Sequence, residues 1–472
     1  ALITLNTTQY AAAKDSVGFF TKLNKGISNI AVTGASVYDV VHSNGLRLGS
    51  ELRVKSISIV DSTDNIDINI NLLQNVGMKI KTISQDNMGI DKTLELDATE
   101  IKNNSSVLGK IITGYQLAAQ NTAASQLNAM LSNRKVISID VKDSASNISR
   151  NWDSINKINS SINFVEVSDS DNPIKIKASQ LALSQGLINK FNVPAELAGV
   201  SGPTGEFKLE ISEATASQVE ELQASEQISG FDIKDTAENI GLYLADLKNS
   251  VDASDGKLRF IKTANSAQIE MSYATYSDPD TTNLLSKVNR GLYNIKLTDV
   301  TVDDLDALTN PTPTSNLLFI DKAINSVEIK DSALNVQSNL SLLNSAGSRI
   351  KSIDLSYNLD GEDLILVPLT VDANDFISRQ KVLDKIIGGY MVDIENATAK
   401  QALTLASNAH ITSIDIEDTA SNFSSYWNQL IDINDRLDDV TIAGTRISVT
   451  ADQYEAGLAL DDDLQAKILS SG

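Results

Sequence analysis

The chain reads as an α/β repeat protein. Its strand–helix units are arranged either as a solenoid or as a row of small α/β modules with parallel strands. Three observations predict this class. One phrase, "SIDIEDTASNF" at Ser413, has near copies at Ser138 ("SIDVKDSASNI") and Ser56 ("SISIVDSTDNI"). Two other phrases recur between its copies. Each phrase has the same grammar: an alternating apolar run, a Ser, Thr, Asp or Asn, then helical spacing.

The first phrase occurs five times. Its Asp is Asp61, Asp143, Asp235, Asp331 and Asp418, and the Asn four residues on is Asn65, Asn147, Asn239, Asn335 and Asn422. A second phrase runs "ITLNTTQY" at Ile3, "LELDATEI" at Leu94, "IKIKASQL" at Ile174, "IEMSYATY" at Ile269, "LTVDANDF" at Leu369 and "ISVTADQY" at Ile447. A third runs "YQLAAQNTAASQ" at Tyr115, "FKLEISEATASQ" at Phe207, "YNIKLTDVTVDD" at Tyr293 and "YMVDIENATAKQ" at Tyr390, with a fainter copy at Ser28.

Period-two alternation marks strands. Small polar side chains just before a helical pattern are N-caps, because their oxygens accept the free N–H groups of the first turn. The repeated Asp and Asn are therefore read as structural caps, the Asp also complementing the helix dipole. The Asn, one turn into the helix, is expected to bond a neighbouring coil. After Asn65 the apolar residues Ile66, Ile70, Leu72 and Leu73 outline one face of a helix of about three turns.

The copies give units of about 30 residues, the length at which a helix returns the chain to a parallel strand. Three units make one period. The expected domains are a partial repeat over 1–52, repeats over 53–133, 134–225, 226–323 and 324–408, and a partial repeat over 409–472. Variable length falls in Asn192–Glu206 and Thr309–Asn316, which hold four of the seven prolines and read as loops. The first residues, from Ile3, and the last, from Ile447, share a phase of the period. We therefore expect a window of a longer chain or subunits stacked end to end, an open heterologous association.

Composition narrows the function. The 472 residues carry 39 basic and 61 acidic side chains, a formal charge of −22. That balance disfavours nucleic acid and anionic membranes. Aromatics are 5% and cysteine is absent, so thiol chemistry, Cys-ligated zinc and iron–sulfur sites are excluded. No apolar run reaches the ~18 residues of a spanning helix. No nucleophile elbow, P-loop or G-x-G-x-x-G occurs, and the chain is expected not to be an enzyme.

Calcium is the one candidate ion, since it takes six to eight oxygens from clustered carboxylates and carbonyls. The best cluster is "NLDGED", with Asp360, Glu362 and Asp363; the next is "DSDN", with Asp169 and Asp171. Neither matches a full EF-hand loop, and no cofactor is expected to be required. His42 and His410 have no local His or Cys partner. Trp152 and Trp427 stand nine residues after their repeat Asp. That position suits packing better than a sugar platform.

The run "AHITSIDIEDTASNF" followed by "ISVTADQY" resembles a repeat of very large bacterial secreted surface proteins, including calcium-binding RTX-type adhesins and S-layer-like proteins. Its spelling there is a strand, "D-T-A-x-N-I", then a helix. The resemblance covers nearly the whole chain and implies an extracellular, structural or adhesive role on the bacterial surface. The G-G-x-G-x-D nonapeptide of those proteins is absent, so their calcium rolls do not carry over. The expected function is structural: a segment of a surface layer, extracellular filament or adhesin stalk, with itself as partner and cell-surface polysaccharide as a further one. A glycan- or protein-binding adhesin module and a solenoid polysaccharide-active enzyme are the alternatives.

Overall fold

A computed structural model describes the chain except for residues 1, 17, 23–28, 87–91, 192–206, 290–292, 310–322, 357–358, 361–362, 365–367, 445, 459–463 and 470–472. The loop Asn192–Glu206 and most of Thr309–Asn316 therefore lie outside the described residues. The fold is α/β, with helices joining parallel strands in a repeating order. The chain divides into two compact units, 1–232 and 233–472.

The first unit opens with a sheet in the order β1 (Leu2–Asn6), β2 (Asn29–Ala35), β3 (Val54–Asp61), β4 (Ile80–Gln85), every pair parallel. A second sheet follows: β5 (Thr93–Asp97), β6 (Gln116–Thr122), β7 (Val136–Asp143), β8 (Ile162–Val167), again parallel throughout. β9 (Ile174–Lys177) and β10 (Leu209–Ala214) then pair in parallel. β11 (Ile228–Asp235) crosses the boundary between the units, and β12 (Leu258–Thr263) follows it.

The second unit holds a sheet of β13 (Ile269–Ser272), β14 (Ile295–Val300), β15 (Ile324–Ser332) and β16 (Ile350–Ser356). A short antiparallel pair comes next, β17 (Leu359–Asp360) with β18 (Asp363–Leu364). The last sheet has β19 (Leu369–Asp372), β21 (Val392–Ala397), β22 (Ile411–Thr419) and β23 (Leu437–Ala443), while β20 (Ile386–Ile387) extends the preceding sheet beside β16.

The period is thus four strands, not three. The second phrase supplies the first strand of each set, the third phrase the second strand, and the Asp–Asn phrase the third. In the second sheet the fourth strand, Ile162–Val167, carries no cap signature, because a short turn, not a helix, leads from it to Ile174. This changes the phase of the repeats. Sheets span 2–85 and 93–167, so boundaries at 53 and 134 fall inside sheets.

The core is thin and built from β-branched residues. Ile57, Ile59, Ile139, Val141, Ile414 and Ile416 alternate inward and are at most 1% exposed. Each such side chain contributes roughly 1.5–3 kcal/mol by leaving water. Helices cover this face. The helix after β3 breaks at Asn69 into Thr63–Ile68 and Ile70–Asn75, so Ile66, Ile70 and Leu73 are buried but Leu72 is turned out.

Each second strand carries one residue in the left-handed region. Gly34, Asn121, Glu213, Asp299 and Asn396 have φ of 67°, 47°, 57°, 52° and 59°. In four of the five strands the parallel register shifts at this point, between Val32 and Ala35, Ala119 and Thr122, Leu297 and Val300, and Ile394 and Ala397. This is a repeated β-bulge. It places the start of the following helix beside the end of the third strand.

Candidate functional site

The Asp–Ser/Thr–x–x–Asn corner recurs five times among the described residues. Its N-cap is the Ser or Thr: Ser62, Ser144, Thr236, Ser332 and Thr419 each accept the N–H of the Asn three residues on, at 3.2–3.3 Å. The expectation that the Asp is the cap is corrected by one residue. Asp61, Asp143, Asp235, Asp331 and Asp418 precede the cap and use Oδ1 to accept its N–H at 2.7–2.8 Å. The same oxygen accepts Nδ2 of Asn65, Asn147, Asn239, Asn335 and Asn422 at 2.6–3.0 Å. The Asn side chain therefore braces its own corner and not the neighbouring coil.

The second carboxylate oxygen reaches sideways. Oδ2 of Asp61, Asp143, Asp331 and Asp418 accepts the first helical N–H after the adjacent second strand, from Val37, Ala124, Val302 and Ala399, at 2.7–2.9 Å. One carboxylate so closes its own corner and caps its neighbour's helix. Such charge-assisted bonds at a helix N-terminus are among the stronger hydrogen bonds in proteins. Asp235, Asp331 and Asp418 are each 8% exposed.

The relay runs one strand further. Ala145, which opens the helix after β7, donates its N–H to Asp169 Oδ1 at 2.6 Å, and Ala237 donates to Asn265 Oδ1 at 3.0 Å. Asp169, a calcium candidate in sequence, therefore spends its carboxylate on a helix terminus and on Asn172 Nδ2, 3.2 Å away. Asp171 is exposed in the same turn. Asp360 and Asp363 are register partners in the short antiparallel pair, and Glu362 lies outside the described residues. Among the described residues no three His, Asp or Glu side chains are grouped to hold a metal ion.

A second constellation joins one set of strands to the next. Six residues after the repeat Asp, the helix presents an acceptor to the outer edge of the following first strand or, after Asp418, to the segment 446–450, which is in no strand. Asp67 Oδ2 takes the N–H of Glu95 at 3.2 Å; Ser149 Oγ takes Lys175 at 2.8 Å; Gln337 Oε1 takes Thr370 at 2.8 Å; Ser424 Oγ takes Ser448 at 2.8 Å. At the equivalent Gly241 the strand comes closer still, and a Cβ there would stand 2.7 Å from the Glu270 carbonyl oxygen. Unpaired strand edges invite foreign strands; here a helix closes each one.

The tryptophans belong to this joint. Trp152 is 1% exposed and donates Nε1–H to Ser184 Oγ at 2.8 Å; Trp427 is 2% exposed and donates to the Gln453 carbonyl at 2.7 Å. Neither offers a face to a sugar. Lysine ammonium groups close the other end of the joint by donating to carbonyls at helix C-termini: Lys110 to Gly77, Lys385 to Gly347, and Lys467 to Asn434 at 2.9 Å. The histidines are also absorbed in packing. His410 stacks on Tyr390 with ring centroids 4.2 Å apart and bonds its carbonyl through Nδ1, and His42 stacks on Tyr38 and meets Asn69.

Asp67 is the strained member. Burial raises its carboxyl pKa to about 6, opposed by the Glu95 N–H and reinforced by the charges of Glu95, Glu100 and Asp64. Its Oδ1 is buried without a hydrogen-bond partner.

Sequence reasoning found the corner but missed the bulge and the joint. Gly34, Asn121 and Asn396, all tolerant of positive φ, at one place in the third phrase were the available signal for the bulge. No sequence rule pairs Asp67 with Glu95, because that contact depends on how a helix lies against a strand edge. No protein family, curated protein or solved structure matches this chain.

Proposed function

We propose that the chain is a non-catalytic structural repeat protein of the bacterial cell exterior, forming part of a surface layer, extracellular filament or adhesin stalk. The observation that supports this reading is the recurrence of one joint. The same helix-to-edge bond, at the same offset from the repeat Asp, follows the third strand of both sheets in each unit that carries it. A structure whose polar groups are spent on holding one set of strands to the next gains length with each set added. Load along it is shared among parallel ladders and charge-assisted ties. The net charge of −22 keeps such a surface soluble and gives calcium a place between neighbours.

Sedimentation velocity of the purified chain over a hundredfold concentration range, with and without millimolar calcium, tests the reading. Species that grow with concentration support it. A single monomeric boundary throughout, together with tight binding of a soluble polysaccharide, would favour the adhesin module instead.

A further inference from the structure

We infer that a cleft at the joint after Asp235 is a binding site for a neutral saccharide unit, held through a pair of neighbouring hydroxyls. The cleft measures about 610 Å³ and is lined by the helices Ala237–Leu242 and Leu244–Asp252 together with the end of β13 and the residues that follow it, through Asp278. That volume suits a mono- or disaccharide. After Asp61, Asp143 and Asp331 the repeat helix has a side chain at this joint, Asp67, Ser149 or Gln337, bonded to the next strand. After Asp235 it has Gly241, which lines the cleft and brings no side chain to it.

The lining is part apolar and part polar. Leu244 and Met271 are 6% and 5% exposed, whereas Leu242 is 74% exposed and offers an open aliphatic surface to the C–H face of a sugar ring. Lys248 and Asp278, from two different helices, form an ion pair along the same cleft. The bond from Lys248 holds the Asp278 carboxyl below the usual carboxylate range, so it is ionised at neutral pH. Its Oδ2 accepts Lys248 Nζ and its Oδ1 accepts the Asp280 N–H at 3.0 Å, which orients the carboxylate and leaves a lone pair on each oxygen. Ser272 and Thr275 are spent on each other, with their hydroxyls 2.9 Å apart. Asn249 lines the cleft with an exposed amide that has no partner among the described residues. An ammonium beside a carboxylate offers a donor and an acceptor at once. A hydroxyl is both and matches the pair, whereas an anion is repelled by Asp278 and a cation by Lys248. Adjacent sugar hydroxyls bridge the two, and Asn249 takes a third. Asp246 and Asp280, exposed on the same helices, add a field that excludes acidic sugars.

Methyl NMR of the full chain, labelled with methyl-13C-methionine, tests the site. The chain has five methionines, of which Met271 lines the cleft and Met130 lies in the first unit. Millimolar maltose, cellobiose or lactose is expected to move the Met271 signal and not that of Met130, while glucuronic acid leaves both in place. Asn249→Ala should weaken binding of the responding sugar about tenfold, and Leu242→Ala severalfold. Both side chains are exposed, so the other methionine signals should keep their places and show the fold intact. No movement of Met271 with any of the three sugars, or an equal movement with glucuronic acid, overturns the inference. So does full affinity in both variants.

Discussion

Asp331 Oδ2 accepts the backbone N–H of Val302 at 2.8 Å, although the two residues are 29 positions apart. Its other oxygen holds Ser332 N–H at 2.7 Å and Asn335 Nδ2 at 2.9 Å. The side chain thus fixes a corner and the helix beside it together. Replacing it with Ala strands three donors, at least one of them buried, and should cost about 2–4 kcal/mol. Asn keeps one acceptor and should cost about half as much. Urea unfolding followed by the exchange of amides in 324–346 checks both; equal stability of Asp331→Ala and the parent would show that the tie is idle.

The bulge gives a signed pair of predictions. Gly34 has a φ of 67° and open space around its missing Cβ, so Gly34→Ala tests backbone strain alone and should destabilise the first unit by about 1 kcal/mol. Glu213, at φ 57° in the same place, should stabilise the protein by about 0.5–1 kcal/mol when changed to Gly. Its ion pair with Lys177 is solvent-exposed and offsets only a few tenths of that gain. Thermal melts of the two variants should move in opposite directions.

Asp67 makes the first joint sensitive to pH. Its folded pKa, raised to about 6, lies above the unfolded value near 3.8. Between these limits the folded state holds a proton that the unfolded state has lost. Stability therefore rises as pH falls from 7 toward 4, and the charged form at neutral pH is the destabilised one. Asp67→Asn keeps an acceptor for Glu95 without the charge. It should melt above the parent at pH 7, and the difference should shrink toward pH 4. A constant difference across that range would remove Asp67 as the cause.

Gly241 tests how closely a joint is packed. A Cβ there would meet Glu270 at 2.7 Å on backbone oxygen, which cannot rotate away. Gly241→Ala should cost about 2–3 kcal/mol and loosen β13 from the helix Ala237–Leu242. Ser149→Ala, which removes the acceptor for Lys175 and the bond its hydroxyl donates to the Ala145 carbonyl, should cost about 1 kcal/mol. Amide exchange at Glu270 and Lys175 separates the two effects.

The strands and helices that follow small polar residues were legible because their local chemistry is self-contained. Ser62 caps Asn65 three residues away, and Ile57 and Ile59 alternate within one strand. Asp61 was misplaced by one position for a physical reason. Asp and Ser both make good caps, and only the register with the adjacent strand turns Asp61 toward Val37. The fourth strand Ile162–Val167 was missed because no cap or helix follows it. The joint was invisible for a similar reason: Asp67, Ser149, Gly241, Gln337 and Ser424 share a place and a role but not a chemistry. The tryptophan pair was read as packing, and the buried Trp152 and Trp427 fit that reading.

The central claim is that these joints build an extended structural assembly, and negative-stain imaging of the native protein in millimolar calcium and then in EGTA tests it most directly. The account predicts filaments or sheets whose repeat reflects stacked strand sets; their dissolution on chelation would place calcium at the contacts, and their persistence would leave the joints alone responsible. Isolated particles of single-chain size in both conditions, at concentrations where surface proteins assemble, would contradict it.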